Sequence, residues 1–555
     1  MLKYSIGIDF GTNSVRALVV STRDGLEAGS AVAAYQSGTE GILLDPGDHN
    51  LARQSPLDYL AGMEKAVRSA MRKAFRDAGV KPGQIAGIGV DTTGSTPIPV
   101  DGRNQPMCLR REYRKNLNAY AWLWKDHTAI AEAEAITAAA RRMRPQYLAK
   151  CGGTYSSEWY WSKLLHCLKV DPGLFAETCA WVECEDYIPS VLCGISRPED
   201  VVRGVCAAGH KAMYSRQWGG FPDHEFLSVL SPRLARQRSR LPAVAHSIDH
   251  CAGKLSPAWA AKLGLPAGIP VATGAFDAHL GAVGSGIKTG TLVKIIGTST
   301  CDVMVAPAGH KVADIPGVCG VVEGSVLPGY TAIEAGQSAV GDIFKWFVNV
   351  VCRGSDALQV ALTEDARRLR PGASGLLALD WNNGNRTILV DPRLTGMIVG
   401  LTLHTPRHEI YRALLEATAF GALAIINRIE EYKVKIDNII CCGGIAEKND
   451  LFMQIYADVL NRPMCISRSS QTCALGAAIA GALAAKVYPA AEPAVAAMTG
   501  IKPGIFKPVP ENARIYRDLY RLYKKLHDAF GAPSGGAPVG SVMKELLDIK
   551  AAVRR

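Results

Sequence analysis

Tyr4-Ser5-Ile6-Gly7-Ile8-Asp9-Phe10-Gly11-Thr12-Asn13-Ser14, running on into Val15 to Val20, is the stretch from which the fold is read. Tyr4 to Asp9 has the unbroken apolar character of a buried strand, Phe10 to Ser14 reads as a tight turn, and Val15 to Val20 as the returning strand of a hairpin. The same pattern comes back late in the chain. Leu292-Val293-Lys294-Ile295-Ile296 is followed by Gly297-Thr298-Ser299-Thr300 and then by the apolar run Val303 to Val305. The separation is far longer than any solenoid period, so a duplicated domain is the economical reading.

Working outward, Leu57 to Ala78 reads as a helix, and Ile85 to Asp91 and Ile439 to Gly444 as apolar strands. Such alternation predicts an α/β architecture with helices covering mixed sheets. A chain of 555 residues exceeds what one hydrophobic core serves, and 48% hydrophobic content supplies material for more than one. We expect a first domain over 1–284, a second over 285–530, and a linker with a C-terminal helix over 531–555. The linker is the Pro/Gly-rich run from Ala532 to Gly540; helical spacing then returns from Ser541 to Arg555.

The net charge of +11 is spread along the chain, with no zinc-finger spacing and no aromatic-basic RNA motif, so nucleic acid is not an expected partner. Fifteen cysteines include no C-x-x-C pair, which removes the usual thiolate metal spacings. The N-terminus enters directly on a strand, and the longest apolar stretch, Ala474 to Ala485, is too short to span a bilayer. Free thiols without an export signal predict a cytoplasmic protein with no membrane partner.

Several residues have chemistry to offer. Gly11 lets a polyanion approach the backbone, while the amides and short side chains of Thr12 and Asn13 can cradle phosphate oxygens, with Arg16 just beyond. Asp9, at the strand end, suits a largely hydrated Mg²⁺, which needs only one or two protein carboxylates. A plain polar hairpin turn is the alternative. Gly297 and Thr298 repeat the arrangement, and two such turns could clamp a triphosphate. Asp277 ends the apolar run Val271 to Phe276; it can accept a proton from an alcohol or start a helix, and local sequence does not choose. Asp91 reads as a turn cap and Trp124 as a core residue, while Asp126 is either substrate-facing or ion-paired. Glu334 can accept two hydroxyls or begin a helix. Asn449 can meet an adenine edge or cap a helix beginning at Leu451.

The paired turns, with Gly443-Gly444 and Asn449, resemble the phosphate and adenosine elements of the actin-like ATPase superfamily. Gly396 to Leu401, continuing through Glu409-Ile410 to Glu416, is similar to the C-terminal signature of the FGGY carbohydrate kinases; Gly274-Ala-Phe-Asp277, leading to Gly281 and Gly284, is similar to their catalytic stretch. Gly87 to Pro97, Trp122 to Thr128, Tyr155 to Trp159 and Glu334 to Ser338 are similar to the members of that family that act on L-ribulose. At Lys163 the chain departs from the family's N-terminal signature: Tyr160 stands where a small residue is usual and His166 where Trp is usual.

The resemblance implies two actin-like (ribonuclease H-like) ATPase domains with a catalytic cleft between them. It implies transfer of the γ-phosphoryl group of ATP, with Mg²⁺, to L-ribulose in L-arabinose breakdown. Asp277 would be the base and, with Asp9, a metal residue. Gly94, Ser95, Lys211, Asp277 and Glu334 would face the sugar, with Trp218 as a pocket wall. Gly11, Thr12, Asn13, Arg16, Gly297, Thr298, Gly336, Gly443, Gly444 and Asn449 would face the nucleotide. D-ribulose, ribitol or xylulose are alternative acceptors, and a non-sugar actin-like ATPase is the alternative class. Pairing into a homodimer is left open.

Overall fold

The computed structural model describes residues 3–307, 309 and 312–531; the linker and tail helix expected beyond Gly531 lie outside them. In the first sheet, β1 (Tyr4–Phe10), β2 (Ser14–Ser21) and β3 (Glu27–Ala34) form an antiparallel meander. β4 (Ile85–Thr92) then lies parallel to β1 on its other side, with Asp9 opposite Asp91. β5 (Cys251–Lys254), β6 (Pro270–Ala272) and β7 (Ala275–Phe276) complete the sheet, in the order β5-β6-β4-β1-β2-β3 with β7 also on β4.

The second sheet repeats the first. β8 (Thr291–Ile296), β9 (Thr300–Pro307), β10 (Gly320–Glu323), β11 (Tyr330–Ala335), β12 (Asn438–Cys442) and β13 (Met464–Ile466) run in the order β10-β11-β9-β8-β12-β13. Again the first hairpin extends into an antiparallel third strand, and a parallel strand joins the other side of the first. The expected duplication is therefore present at the level of strand order. In each half the Gly-Thr turn joins the first two strands.

β1 is buried along its whole length, which is why its sequence lacks polar alternation. One side is covered by helix α1 (Pro56–Ala78), whose proline sits in the first turn and whose C-terminus is closed by Gly79 in the left-handed region at φ 66°. Its buried stripe, Tyr59, Met63, Ala66, Val67, Ala70 and Ala74, has helical spacing. The Ala/Gly run late in the chain forms helix α2 (Thr472–Ala484), buried almost all round. It crosses back to lie on β1 and β4 of the first sheet, near enough that a methyl at Gly7 would fall 1.7 Å from the Ala474 carbonyl oxygen. Small residues on both sides permit that approach.

The fifteen cysteines are free thiols. No helix among the described residues is long and apolar enough to cross a membrane.

Candidate active site

Both turns are closed by their own backbone. Gly11 N–H donates to the Ser14 carbonyl at 3.0 Å, and Gly297 N–H to the Ser299 carbonyl at 2.9 Å. Thr12 is held from two sides: Gln54 donates to its carbonyl at 2.6 Å and the Trp124 indole to its hydroxyl at 3.1 Å. Trp124 is therefore not the core residue expected; it is half-buried and braces the first turn. Asn13 donates to the Glu40 carbonyl at 2.7 Å. Arg16 donates to Asp9 at 3.1 Å.

Asp9, Asp91 and Asp277 converge where β1, β4 and β7 end. Asp9 and Asp91 are register partners on parallel strands, and Ala275 and Phe276 of β7 pair with Asp91 and Thr92, delivering Asp277 next in line. The expected turn-capping role of Asp91 does not hold. Its carboxylate is completely buried and neither oxygen has a hydrogen-bond partner, because the strand directs it toward Asp9 instead of the Thr-Thr-Gly backbone. Burial, with Asp9 and Asp277 nearby, pushes its pKa well above the usual carboxylate range. Burial also raises Asp9 against the pull of Arg16. Asp9, with the Asp91 carboxyl opposite and Asp277 next in line, forms a hard-oxygen set that fits a Mg²⁺ retaining most of its water.

Asp277 is the first residue of the helix Asp277–Gly284, with Phe276 as the N-cap. Its Oδ1 accepts from Ala278 N–H at 2.7 Å. Asp277 thus starts the helix, which is compatible with a chemical role for the same carboxylate. Burial, then the charge on Asp9, pushes its pKa up to about 7.

Beside Asp277 lies a buried ionic cluster that joins the two halves of the chain. Lys211 ends a short helix (Val205–Lys211), and its ammonium is 3.1 Å from Oε1 and 3.3 Å from Oε2 of Glu334. Glu334 sits within β11, so its alternative as a helix start is excluded. His279 Nε2 lies 3.1 Å from Oε2, and His210 Nδ1 lies 3.1 Å from the same oxygen but off the hydrogen-bond axis. Burial opposes charge on Glu334, yet Lys211 and the imidazoles prevail and hold it well below its ordinary pKa. It is therefore an acceptor only, suited to sugar hydroxyls. His210, driven by burial and then by His279 to about 4, is neutral.

The aromatic faces near the Lys211 ammonium are Trp159 at 5.2 Å and Phe276 at 5.7 Å. Trp218 is not the expected wall: it packs on Tyr147 at 5.0 Å and donates to the Met213 carbonyl. Gly94 lies against Phe276, whose ring leaves no room for a methyl there, the nearest carbon being 2.1 Å away. The neighbouring Ser95 hydroxyl bonds to Glu183. Asp126 resolves as a structural ion pair with the buried Arg53, whose guanidinium stacks 3.5 Å from the Trp122 ring.

In the second half, Gly336 is packed between the Thr300 carbonyl and the Arg386 guanidinium, and its N–H donates to Thr387 at 2.9 Å. Gly443 has φ 99°, and a methyl there would fall 2.2 Å from the Ile296 carbonyl oxygen; Gly444 has open space. This puts the Gly443-Gly444 pair beside the second turn. Asn449 caps the helix Asp450–Leu460, one residue earlier than expected, accepting from Phe452 N–H at 3.0 Å.

His210, His279, Glu183 and Arg386 were not singled out by sequence reasoning. His210 and His279 carry a weak signal, standing one residue before Lys211 and two after Asp277. Arg386, which donates to the Thr300 carbonyl at 2.5 Å, carries none, because nothing local links it to the second turn.

A duplicated sheet of this strand order, with a cleft lined from both halves, defines a two-domain protein of the actin-like, ribonuclease H-like fold. A solved gluconate kinase from Lactobacillus acidophilus shares it with a TM-score of 0.78 at 19% identity, over 96% of this chain and 99% of that one. The models of the N-terminal and C-terminal domains of the FGGY family of carbohydrate kinases match residues 4–284 and 292–485. The chain belongs to the FGGY family of carbohydrate kinases. It is 41% identical to a ribulokinase of Vibrio parahaemolyticus, over 94% of this chain and 95% of that protein. It is 40% identical to a ribulokinase of Halalkalibacterium halodurans, over 100% and 98% respectively.

Proposed function

We propose that this kinase phosphorylates L-ribulose at the expense of ATP, giving L-ribulose 5-phosphate and ADP, with Asp277 as the general base. The observation that carries the reading is the Lys211–Glu334 pair, which puts a fixed donor and a fixed acceptor for sugar hydroxyls beside a half-buried carboxylate of raised pKa. Identity of about 40% to ribulokinases along essentially the whole chain supports the choice of acceptor.

The sugar's terminal hydroxyl lies against Asp277, which orients it and takes its proton as the new O–P bond forms and the bond to the ADP oxygen breaks. Glu334 and Lys211 fix the remaining hydroxyls, so the acceptor arrives already oriented. The turns carrying Gly11, Thr12 and Asn13 and carrying Gly297 and Thr298 hold phosphate oxygens, with Arg16 adding charge; Gly336, Gly443, Gly444 and Asn449 line the adenosine side. Asp9, with Asp277 near it, would hold Mg²⁺, which when bound neutralises phosphate charge. The setting is cytoplasmic, in L-arabinose breakdown, and a homodimer is the assembly to test by sedimentation.

A coupled ADP-release assay over L-ribulose, D-ribulose, xylulose and ribitol tests the proposal. L-Ribulose should give the highest kcat/KM. Turnover that needs no sugar and survives Asp277→Ala would sink it in favour of a non-sugar ATPase.

A further inference from the structure

Lys163 is completely buried, and all three of its ammonium protons point at backbone carbonyls: Ser95 at 2.8 Å, Leu123 at 2.9 Å and Trp122 at 3.2 Å. An ammonium is costly to bury, and a lysine tied only to carbonyls is not an ordinary core element. Burial lowers its pKa to about 7, against the opposing influence of Glu183. What it holds gives the cost a purpose. Ser95 follows Gly94, the residue pressed on Phe276 immediately before Asp277. Leu123 precedes Trp124, whose indole holds Thr12 in the first turn.

The helix bearing Lys163 (Tyr160–Val170) reaches a third part of the site. The Trp161 indole donates to the Ala212 carbonyl at 2.9 Å, and the Tyr155 hydroxyl, just upstream, donates to the Lys211 carbonyl at 2.5 Å. Glu183 holds the same sugar loop, accepting from the Ser95 hydroxyl and from Thr96 N–H, the latter at 2.7 Å. The loop is therefore held at its carbonyl by Lys163 and at its hydroxyl and amide by Glu183. The two departures from the family signature close the other contacts of this helix: Tyr160 donates to the Trp181 carbonyl at 3.0 Å, and His166 lies 2.9 Å from Glu132.

We propose that Lys163 is the positioning residue of the sugar side of the cleft, setting the Gly94-Ser95 loop against Phe276 and in register with the Leu123-Trp124 segment that braces the phosphate turn. It touches neither ligand. It holds the sugar loop directly and reaches the phosphate turn only through Trp124, so its loss is felt more by the sugar than by the nucleotide. This assignment rests on the sugar-kinase reading of the cleft.

The test uses the full chain with Lys163→Met, Lys163→Gln and Glu183→Gln, assayed with L-ribulose and ATP. For Lys163→Met the sugar KM should rise at least tenfold while the ATP KM rises by a clearly smaller factor. Lys163→Gln, which keeps an amide able to donate to two carbonyls, should recover part of the sugar KM. Adding Glu183→Gln to Lys163→Met should cost less than the product of the single effects, since both grip one loop. Parallel rises in both KM values, no change in either, or failure of both Lys163 variants to fold would each overturn the proposal. Failure of the parent reading has a different signature, namely unsubstituted enzyme that transfers phosphate to no pentulose.

Discussion

Lys211, from the first half of the chain, and Glu334, from the second, meet at 3.1 Å in a buried ion pair. The pair therefore ties the two halves of the chain together, and on the proposed function it also holds the sugar. Lys211→Met would leave the Glu334 charge buried with only imidazole partners, a break worth about 3–5 kcal/mol. The melting temperature should fall, and the sugar KM should rise about 10- to 100-fold, as expected for losing a charged hydrogen bond. Thermal melts and sugar saturation curves measure the two effects separately. A stability loss without a KM change would confine the pair to a structural role.

Asp277 should act through its charge. Asp277→Asn keeps the shape and the bond from Ala278 N–H, but it cannot take a proton, so kcat should drop about 10²- to 10⁴-fold with sugar binding largely retained. Single-turnover kinetics with calorimetric sugar titration would separate the two. Normal kcat in the Asn variant would remove Asp277 as the base.

The same residue sets a pH dependence. Burial disfavours its charged form and raises its pKa to about 7, so below that pH the carboxyl is protonated and cannot act as a base. At low Mg²⁺, kcat/KM should rise with pH through about 7 and then level off. More Mg²⁺ should move the rising limb to lower pH, because a nearby cation favours the carboxylate. A profile flat from about pH 6 to 8, on the order of one decade either side of that value, would contradict the assignment.

Asp91→Asn should stabilise the protein when Mg²⁺ is chelated. Folding favours the protonated form of Asp91, so its folded-state pKa lies above the unfolded one. As pH climbs above about 4, the unfolded chain sheds that proton while the folded chain keeps it, and folded-state stability is lost. Asn has no proton to lose, so the melting-temperature gain of the variant should widen with pH. Mg²⁺ should narrow the gap by binding the parent protein preferentially. A gain that is the same at every pH would mean that Asp91 is not the source.

Gly443→Ala tests the adenosine side. The position has φ 99°, and the added methyl would meet the Ile296 carbonyl oxygen at 2.2 Å. Strain of about 1–3 kcal/mol should lower the melting temperature, and the ATP KM should rise more than the sugar KM. Equal effects on both substrates would point to general loosening of the fold.

The sequence by itself determined the duplication, since two apolar strands flanking a Gly-Thr turn are a local pattern that survives without knowledge of distant contacts. It also marked Asp9, Asp277 and the two turns, because strand ends and glycine-rich turns announce themselves in a few consecutive residues. Local sequence left Asp277 divided between base and helix start; the structure shows the helix start, and the base role is the proposal made above. Only the tertiary structure decided what Asp91, Trp124 and Trp218 do, and it reversed all three expectations. The reason is distance along the chain. Whether Asp91 caps its own turn depends on Asp9, its partner on a neighbouring strand; Trp124 is claimed by Thr12, and Lys163 by Ser95 and Leu123. A buried charge is recognisable by the partners it finds, and here those partners are brought in by sheet register and helix packing, which no window of sequence contains.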